Sequence, residues 1–250
     1  MARTADGTTR SPHAPGSDRG PSASAPGGRA CYLYCVTRGA RPLSVGSIGI
    51  EPRWPDVYTI AFDDIAAVVS DVPGGTLDPT RERVLAHDRV NHAVMRECTV
   101  IPMNFGTVCR TREDVLRLLR VAYKAFSDVL EKMEGRVEYG LKVVQRPGAT
   151  IDHLPPGAPA DGELQRRAER HLDDGLERLR DVSVASRLNP PLGDQMILNA
   201  AFLVRRDRDH PFVKRAREVA GKFPHLGFKL TGPWPPYNFV NIRLKLERVA

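Results

Sequence analysis

The chain has 250 residues, 41% hydrophobic, 27% charged and 6% aromatic, with 21 glycines and 21 prolines, a composition suited to one or two folded domains with a real core. Its longest unbroken apolar run, Ile65 to Val69, is far short of the roughly 18 residues a membrane-crossing helix needs; the polar N-terminus lacks the apolar stretch of a secretory signal, and the reading is a cytoplasmic chain. The net charge of +7 is spread along the sequence rather than gathered in a block, so it specifies no polyanionic partner.

Residues 1–29 are almost wholly Ala, Gly, Pro, Ser, Thr and Arg, too poor in apolar side chains to offset their ordering entropy, and a disordered tail is expected there. Order begins at Cys31-Tyr-Leu-Tyr-Cys-Val, a strand with apolar or aromatic residues on both faces. Short β-branched runs predict further strands at Val45–Ile50, Val57–Phe62 and Ile65–Ser70. From Thr80 to Cys98, Val84, Ala86, Val90, Ala93 and Val94 recur at helical steps, and a strand, Thr99–Met103, follows. Thr111-Arg-Glu-Asp114 then resembles a capping box opening a helix whose stripe of Val115, Leu118, Leu119, Ala122, Phe126, Val129, Leu130 and Met133 ends at Gly135.

The second half opens with a strand from Val137, followed by a Pro/Gly loop from Pro147 to Gly162 and a helix carrying Leu164, Ala168, Leu172, Leu176 and Leu179. Strands near Asp181–Arg187 and Gln195–Val204, a helix capped by Asp209, and a strand at Gly227–Thr231 complete the order βαββαβ. The fold class is therefore α+β: a small α+β domain over residues 30–136 and a ferredoxin-like domain over residues 137–250, with the boundary near Arg136. Both crossover helices of such a domain lie on one side of its sheet, which leaves the other face free.

Catalytic signatures are absent: there is no GxSxG, GxxxxGK[ST], HExxH or GxGxxG. Gly46-Ser-Ile-Gly49 reads as a hairpin turn. The four cysteines, Cys31, Cys35, Cys98 and Cys109, form no CxxC pair and have no histidines at ligand spacing, so neither a metal site nor a cofactor is expected. His87 and His92 stand five apart on one helix and face different ways; His87, beside Asp88, reads as a hydrogen-bonded core or surface histidine rather than a catalytic base.

Two stretches carry most information. In Val100-Ile-Pro-Met-Asn-Phe-Gly-Thr-Val108, Pro102 cannot donate to a ladder and Gly106 permits unusual φ, which predicts a sharp corner between strand and helix. In Leu230-Thr-Gly-Pro-Trp-Pro-Pro-Tyr-Asn-Phe-Val240, three prolines stiffen the backbone that carries Trp234 and Tyr237. Stiffness lowers the entropy cost of a binding anchor, and it equally suits rings packed inward to cement two domains, the reading that burial trends favour. The candidate partner-binding or interdomain residues are Trp234, Pro235, Pro236, Tyr237, Phe239 and Phe105.

These stretches, with Tyr32-Leu-Tyr and Glu138-Tyr-Gly-Leu-Lys-Val, resemble the GvpL/GvpF family of gas vesicle proteins over residues 30 to 245. The chain departs from the family in its N-terminal tail and at Asn104, where a basic residue is expected. The resemblance implies an α+β N-terminal domain, a modified ferredoxin-like C-terminal domain and no catalytic residues. It implies a non-enzymatic accessory protein for building gas vesicles, found in the cytoplasm and at the vesicle. Its implied partners are the hydrophobic vesicle wall protein and other accessory proteins, with no membrane and no specific nucleic acid. A wall subunit with an apolar face needs shielding from water until it is incorporated. The alternating Met196, Leu198, Ala200 and Phe202, with the Trp234–Tyr237 segment, suggest that the C-terminal domain supplies that shield. The competing reading is a ferredoxin-like nucleic-acid or small-molecule binding module.

Overall fold

The computed structural model of the chain describes residues 29–39, 45–50, 55–74, 77–146, 172–193, 195–224 and 226–240. Expectations for the tail over residues 1–28, the loop from Pro147 to Gly162, and Leu164 and Ala168 of the first crossover helix lie outside the described residues. Arg29, read as the end of the tail, instead opens the first strand and pairs with Pro73.

The first sheet is antiparallel. It consists of β1 (Arg29–Arg38), β2 (Val57–Phe62), β3 (Ile65–Pro73), β4 (Val100–Pro102) and β5 (Val108–Cys109), in the order β2-β3-β1-β4 with β5 also beside β1. Because β1 is apolar on both faces, it is buried on both. Tyr32 and Tyr34 join the core that includes Ala86, Val90 and Val94 of α1 (Arg81–Glu97). Cys31 and Leu33, on the other face, join Val115 and Leu119 of α2 (Arg112–Val121) and Phe126 and Leu130 of α3 (Tyr123–Met133).

Two readings are corrected here. Val45–Ile50 is not a strand: Gly46, with φ of 81°, makes a single bridge to Val57, and Gly49 N–H donates to Pro55 O, so the run turns where an extended strand was expected. The long helical stripe is two helices, because Ala122 (φ −98°, ψ 12°) turns the axis between them. α2 thereby covers β2 and β3, while α3 covers β4 and β1. The capping box at Thr111 forms as read, its side chain accepting from Asp114 N and the Asp114 carboxylate accepting from Thr111 N.

The second sheet contains β6 (Arg136–Gln145), β7 (Ala185–Leu188), β8 (Met196–Arg205) and β9 (Leu226–Trp234), all antiparallel in the order β7-β8-β6-β9. With α4 (helical over 172–180) between β6 and β7 and α5 (Asp209–Gly221) between β8 and β9, this is the ferredoxin-like arrangement expected. Val137, Tyr139, Leu141 and Val143 of β6 share a core with Leu176 and Leu179 of α4 and Phe212, Ala216 and Val219 of α5. Leu198, Ala200 and Phe202, read as candidates for a shielding surface, are buried in the same core. The pattern misled because β8 is apolar on both faces, with Ala201 and Leu203 buried opposite. Asp209 is not a cap either; it is the first residue of α5, and its carboxylate accepts from the Tyr139 hydroxyl.

Candidate functional site at the seam between the sheets

The two informative stretches meet through α1. Thr80 caps that helix by accepting from Arg83 N. Helical spacing then sets His87 and Asn91 one turn apart on a buried flank, with Asp88 and His92 a step round the barrel.

On one side of α1 lies an interrupted strand. β4 leaves β1 where Pro102 pairs with Cys35, and β5 rejoins where Val108 pairs with Tyr32, so Met103 to Thr107 bow out opposite Leu33 and Tyr34. Met103 N donates to Tyr34 O and Leu33 N to Thr107 O, both at 2.9 Å, which pins the excursion at each end. The Thr107 hydroxyl donates to Asn104 O at 2.7 Å and closes the loop on itself. Gly106 adopts φ of 83°, and its N–H donates to the Tyr32 hydroxyl at 3.2 Å. Phe105 sets its ring 6.1 Å from that of Tyr32 and 6.0 Å from that of His87. The predicted corner is thus a loop that returns to the sheet before the helix begins.

On the other side lies the end of β9. Gly232 sits at φ of 131°, and a Cβ there would stand 2.8 Å from both Glu138 O and Tyr139 Cδ1, so no other residue fits without displacement. Pro233 is tolerated because β9 is an edge strand and needs no further donor. Trp234, half-buried, meets the His92 ring edge-on at 4.8 Å. His92 Nδ1 lies 2.9 Å from Asp88 O and Nε2 lies 3.2 Å from Pro233 O, tying α1 to the strand end. Pro235 and Pro236 are buried, and Pro236 O accepts from both Phe239 N and Val240 N at 3.1 Å, which winds the chain into a tight turn. Phe239 is half-buried on that turn.

One polar anchor joins these sides, and a second pins the C-terminal turn to β6. Tyr32 Oη lies 2.9 Å from His87 Nδ1, and Asn91 Nδ2 lies 2.9 Å from His87 Nε2 and 3.0 Å from the Tyr237 hydroxyl. Tyr237 in turn donates to Asp88 Oδ1 at 3.3 Å. Asn91 Nδ2 can only donate, so His87 Nε2 accepts, and a neutral ring with its proton on Nδ1 satisfies both bonds. Burial holds the His87 pKa below its ordinary value, outweighing the opposing influence of Asp88 and a backbone hydrogen bond with Met103. Burial likewise pushes both phenols, Tyr32 and Tyr237, well above the usual tyrosine range. The second anchor is Glu138, only 5% exposed, which accepts from Asn238 N at 2.7 Å and from Asn238 Nδ2 at 2.5 Å. Burial raises its carboxyl pKa, while the two Asn238 donors and nearby Arg187 pull it back.

Of the residues singled out in the sequence, Phe105 and Tyr237 meet in one network through His87 and Asn91, while Trp234 joins α1 by way of His92. Asn91, Glu138 and Asn238 were not foreseen as partners. The available signals were an i, i+4 His–Asn pair on an apolar helix flank and a carboxylate embedded in an otherwise apolar strand. Chemically the arrangement is a clasp: both His87 nitrogens are engaged in a buried network, and the two anchors fix strand, helix and C-terminal turn in one geometry.

A family model described as gas vesicle synthesis protein GvpL/GvpF matches residues 30–160 and 156–241. Gas vesicle protein F1 of Halobacterium salinarum is 32% identical over 197 residues, covering 77% of this chain and 84% of that protein. Gas vesicle protein L of a Streptomyces species is 33% identical over 253 residues, covering 84% of this chain and 92% of that protein. The crystal structure of GvpF from Anabaena superimposes with a TM-score of 0.75 at 21% identity, over 86% of this chain and 98% of that one, and shows the same α+β fold. The resemblance first carried by the two stretches now meeting at α1 therefore extends over the whole described fold: the chain belongs to the GvpL/GvpF family of gas vesicle synthesis proteins and has a role in gas vesicle formation.

Proposed function

We propose that the chain is a non-enzymatic accessory factor that binds the hydrophobic vesicle wall protein and other accessory proteins during nucleation or growth, in the cytoplasm and at the vesicle. The observation that carries this reading is the seam. Tyr32, His87, Asn91 and Tyr237 bond to one another across the seam, with His87 only 3% exposed, so they serve to fix two sheets relative to each other rather than to meet a substrate. Fixed sheets present fixed surfaces, which is what an assembly factor needs. We take residues 30–136 and 137–250 as its two domains, joined by this seam.

The surface for the wall protein follows from what remains exposed. With Leu198, Ala200 and Phe202 in the core, the large apolar side chains facing solvent in the second half, among the described residues, are Val184, Leu188, Leu192 and Ile197, beside and at the end of edge strand β7, in the turn that follows it and at the start of β8. Leu188 and Leu192 are 56% and 63% exposed, an arrangement that suits a transient apolar client. The nucleic-acid alternative is disfavoured because the central strands turn Gly140, Lys142, Asn199 and Ala201 to the face away from the helices, with no ring on which a base stacks.

The test is deletion of this protein in a vesicle-forming host, rescued by the wild type or by a Leu188→Asp/Leu192→Asp variant, with vesicles counted by electron microscopy and wall protein captured on the full chain. Loss of vesicles on deletion, restored by wild type, and weaker capture by the variant are expected. Normal vesicle number and shape on deletion would overturn the assembly role; undiminished capture by the variant would move the surface elsewhere.

A further inference from the structure

The face of the second sheet away from α4 and α5 has a charge imbalance that the seam does not use. Alternation along the strands turns Arg136 and Lys142 of β6, Arg187 of β7, Arg205 of β8 and Lys229 of β9 to that face. The four strands contain one acidic residue, Glu138, which is buried and held by Asn238. Arg187 already donates to Asn238 O and Arg205 is paired with Asp207, while at the far end of the sheet two lysines come together.

There, Lys142 and Lys229 stand directly opposite each other in register. Their Cα atoms are then about 5 Å apart, and like charges in that relation repel. Neither lysine has an ion-pair partner among the described residues. The pair is flanked along the strands by Gly140 opposite Thr231 and by Gly227 opposite Val144, neither of which carries a charge. A Cβ added to Gly227 would stand 2.9 Å from Val144 Cγ2 and 3.9 Å from Arg146 Cγ, which places a third cation near the lysine pair. Long lysine and arginine stems let three charged heads converge over this end of the sheet.

We propose that this end of the second sheet is a docking surface for an acidic segment of a protein partner, whose carboxylates relieve the Lys142–Lys229 repulsion. The proposal rests on the assembly-factor reading only in taking the partner to be a protein. A polyanion that stacks bases is the poorer fit, since no ring lies on the exposed positions of the central strands.

The experiment uses the full chain with a labelled 15-residue Glu/Ala peptide, a Gln/Ala peptide of equal length and a single-stranded oligonucleotide, read by fluorescence anisotropy at low and physiological salt. The Glu/Ala peptide is expected to bind in preference to the other two, and Lys142→Ala/Lys229→Ala to weaken it about tenfold or more. Lys214→Ala/Lys222→Ala, on the helical side, is expected to change it less than about twofold. The first double variant should melt no lower than wild type because it removes a repulsion, which separates lost binding from lost folding. Equal binding by both double variants, no binding of the acidic peptide, or tighter binding of the oligonucleotide through the same lysines would overturn the proposal. None of these outcomes alters the deletion phenotype, so the assembly reading stands or falls separately.

Discussion

Asn91 and Tyr237 are 146 residues apart in sequence and 3.0 Å apart in the fold. This contact joins the first half of the chain to the turn that follows β9, and it lies in a buried network where each group depends on its neighbour.

Tyr237→Phe tests that dependence with the ring kept in place. Asn91 Nδ2 loses one acceptor and Asp88 a donor, so a loss of about 1–3 kcal/mol in unfolding free energy is expected from urea titration. For a chain this long, each kcal/mol lowers Tm by roughly 2–4 °C. A loss confined to Tyr237→Ala would make packing, not hydrogen bonding, the function of this residue.

Gly232→Ala combines an unfavourable φ of 131° with a Cβ 2.8 Å from Glu138 O. The neighbours are backbone and a buried ring, neither of which yields cheaply. A destabilisation above about 2 kcal/mol is expected, read by thermal melting, whereas Gly221→Ala, with open space around it, should fall within about 0.5 kcal/mol of wild type or stabilise.

Glu138→Gln replaces two acceptors by one acceptor and one donor. The new amide then faces an Asn238 donor, so the C-terminal turn should loosen despite relief of a buried charge. The check is faster amide hydrogen exchange at Asn238 N–H in the variant; unchanged protection would refute the anchoring role.

Stability should fall with acid through His87. Its native pKa lies below the ordinary 6.5, so below about pH 6.5 the unfolded chain binds a proton that the folded chain refuses. The unfolding free energy therefore rises with pH through that window and levels above it. Urea midpoints at pH 5, 6, 7 and 8 should show this slope in wild type and a shallower one in His87→Gln; equal slopes would assign it to another group.

Much of the architecture was readable because period governs it. The ferredoxin-like order follows from clear alternation between strand-like and helix-like runs, and the Thr111 capping box forms where its residues stand. What was not readable depended on facing rather than period. β8 is apolar on both sides, so nothing local tells Phe202 from Leu203, and only α4 and α5 decide which lies beneath them. The break at Ala122 carries no glycine or proline to announce it. Within the seam, the rigid proline stretch was visible in sequence, but its partners His87, Asn91 and Glu138 come from other elements and are specified only by tertiary packing.

The bowed Met103–Thr107 loop also decides what the border of the first sheet can do. A foreign strand adding there would need an unbroken row of donors and acceptors, and it would meet two short rungs separated by an outward hump with exposed Asn104 at its rim. Edge-to-edge pairing of a foreign strand along that border is thereby disfavoured, so backbone addition there would join this chain to another copy or partner only at a high cost in unmatched groups.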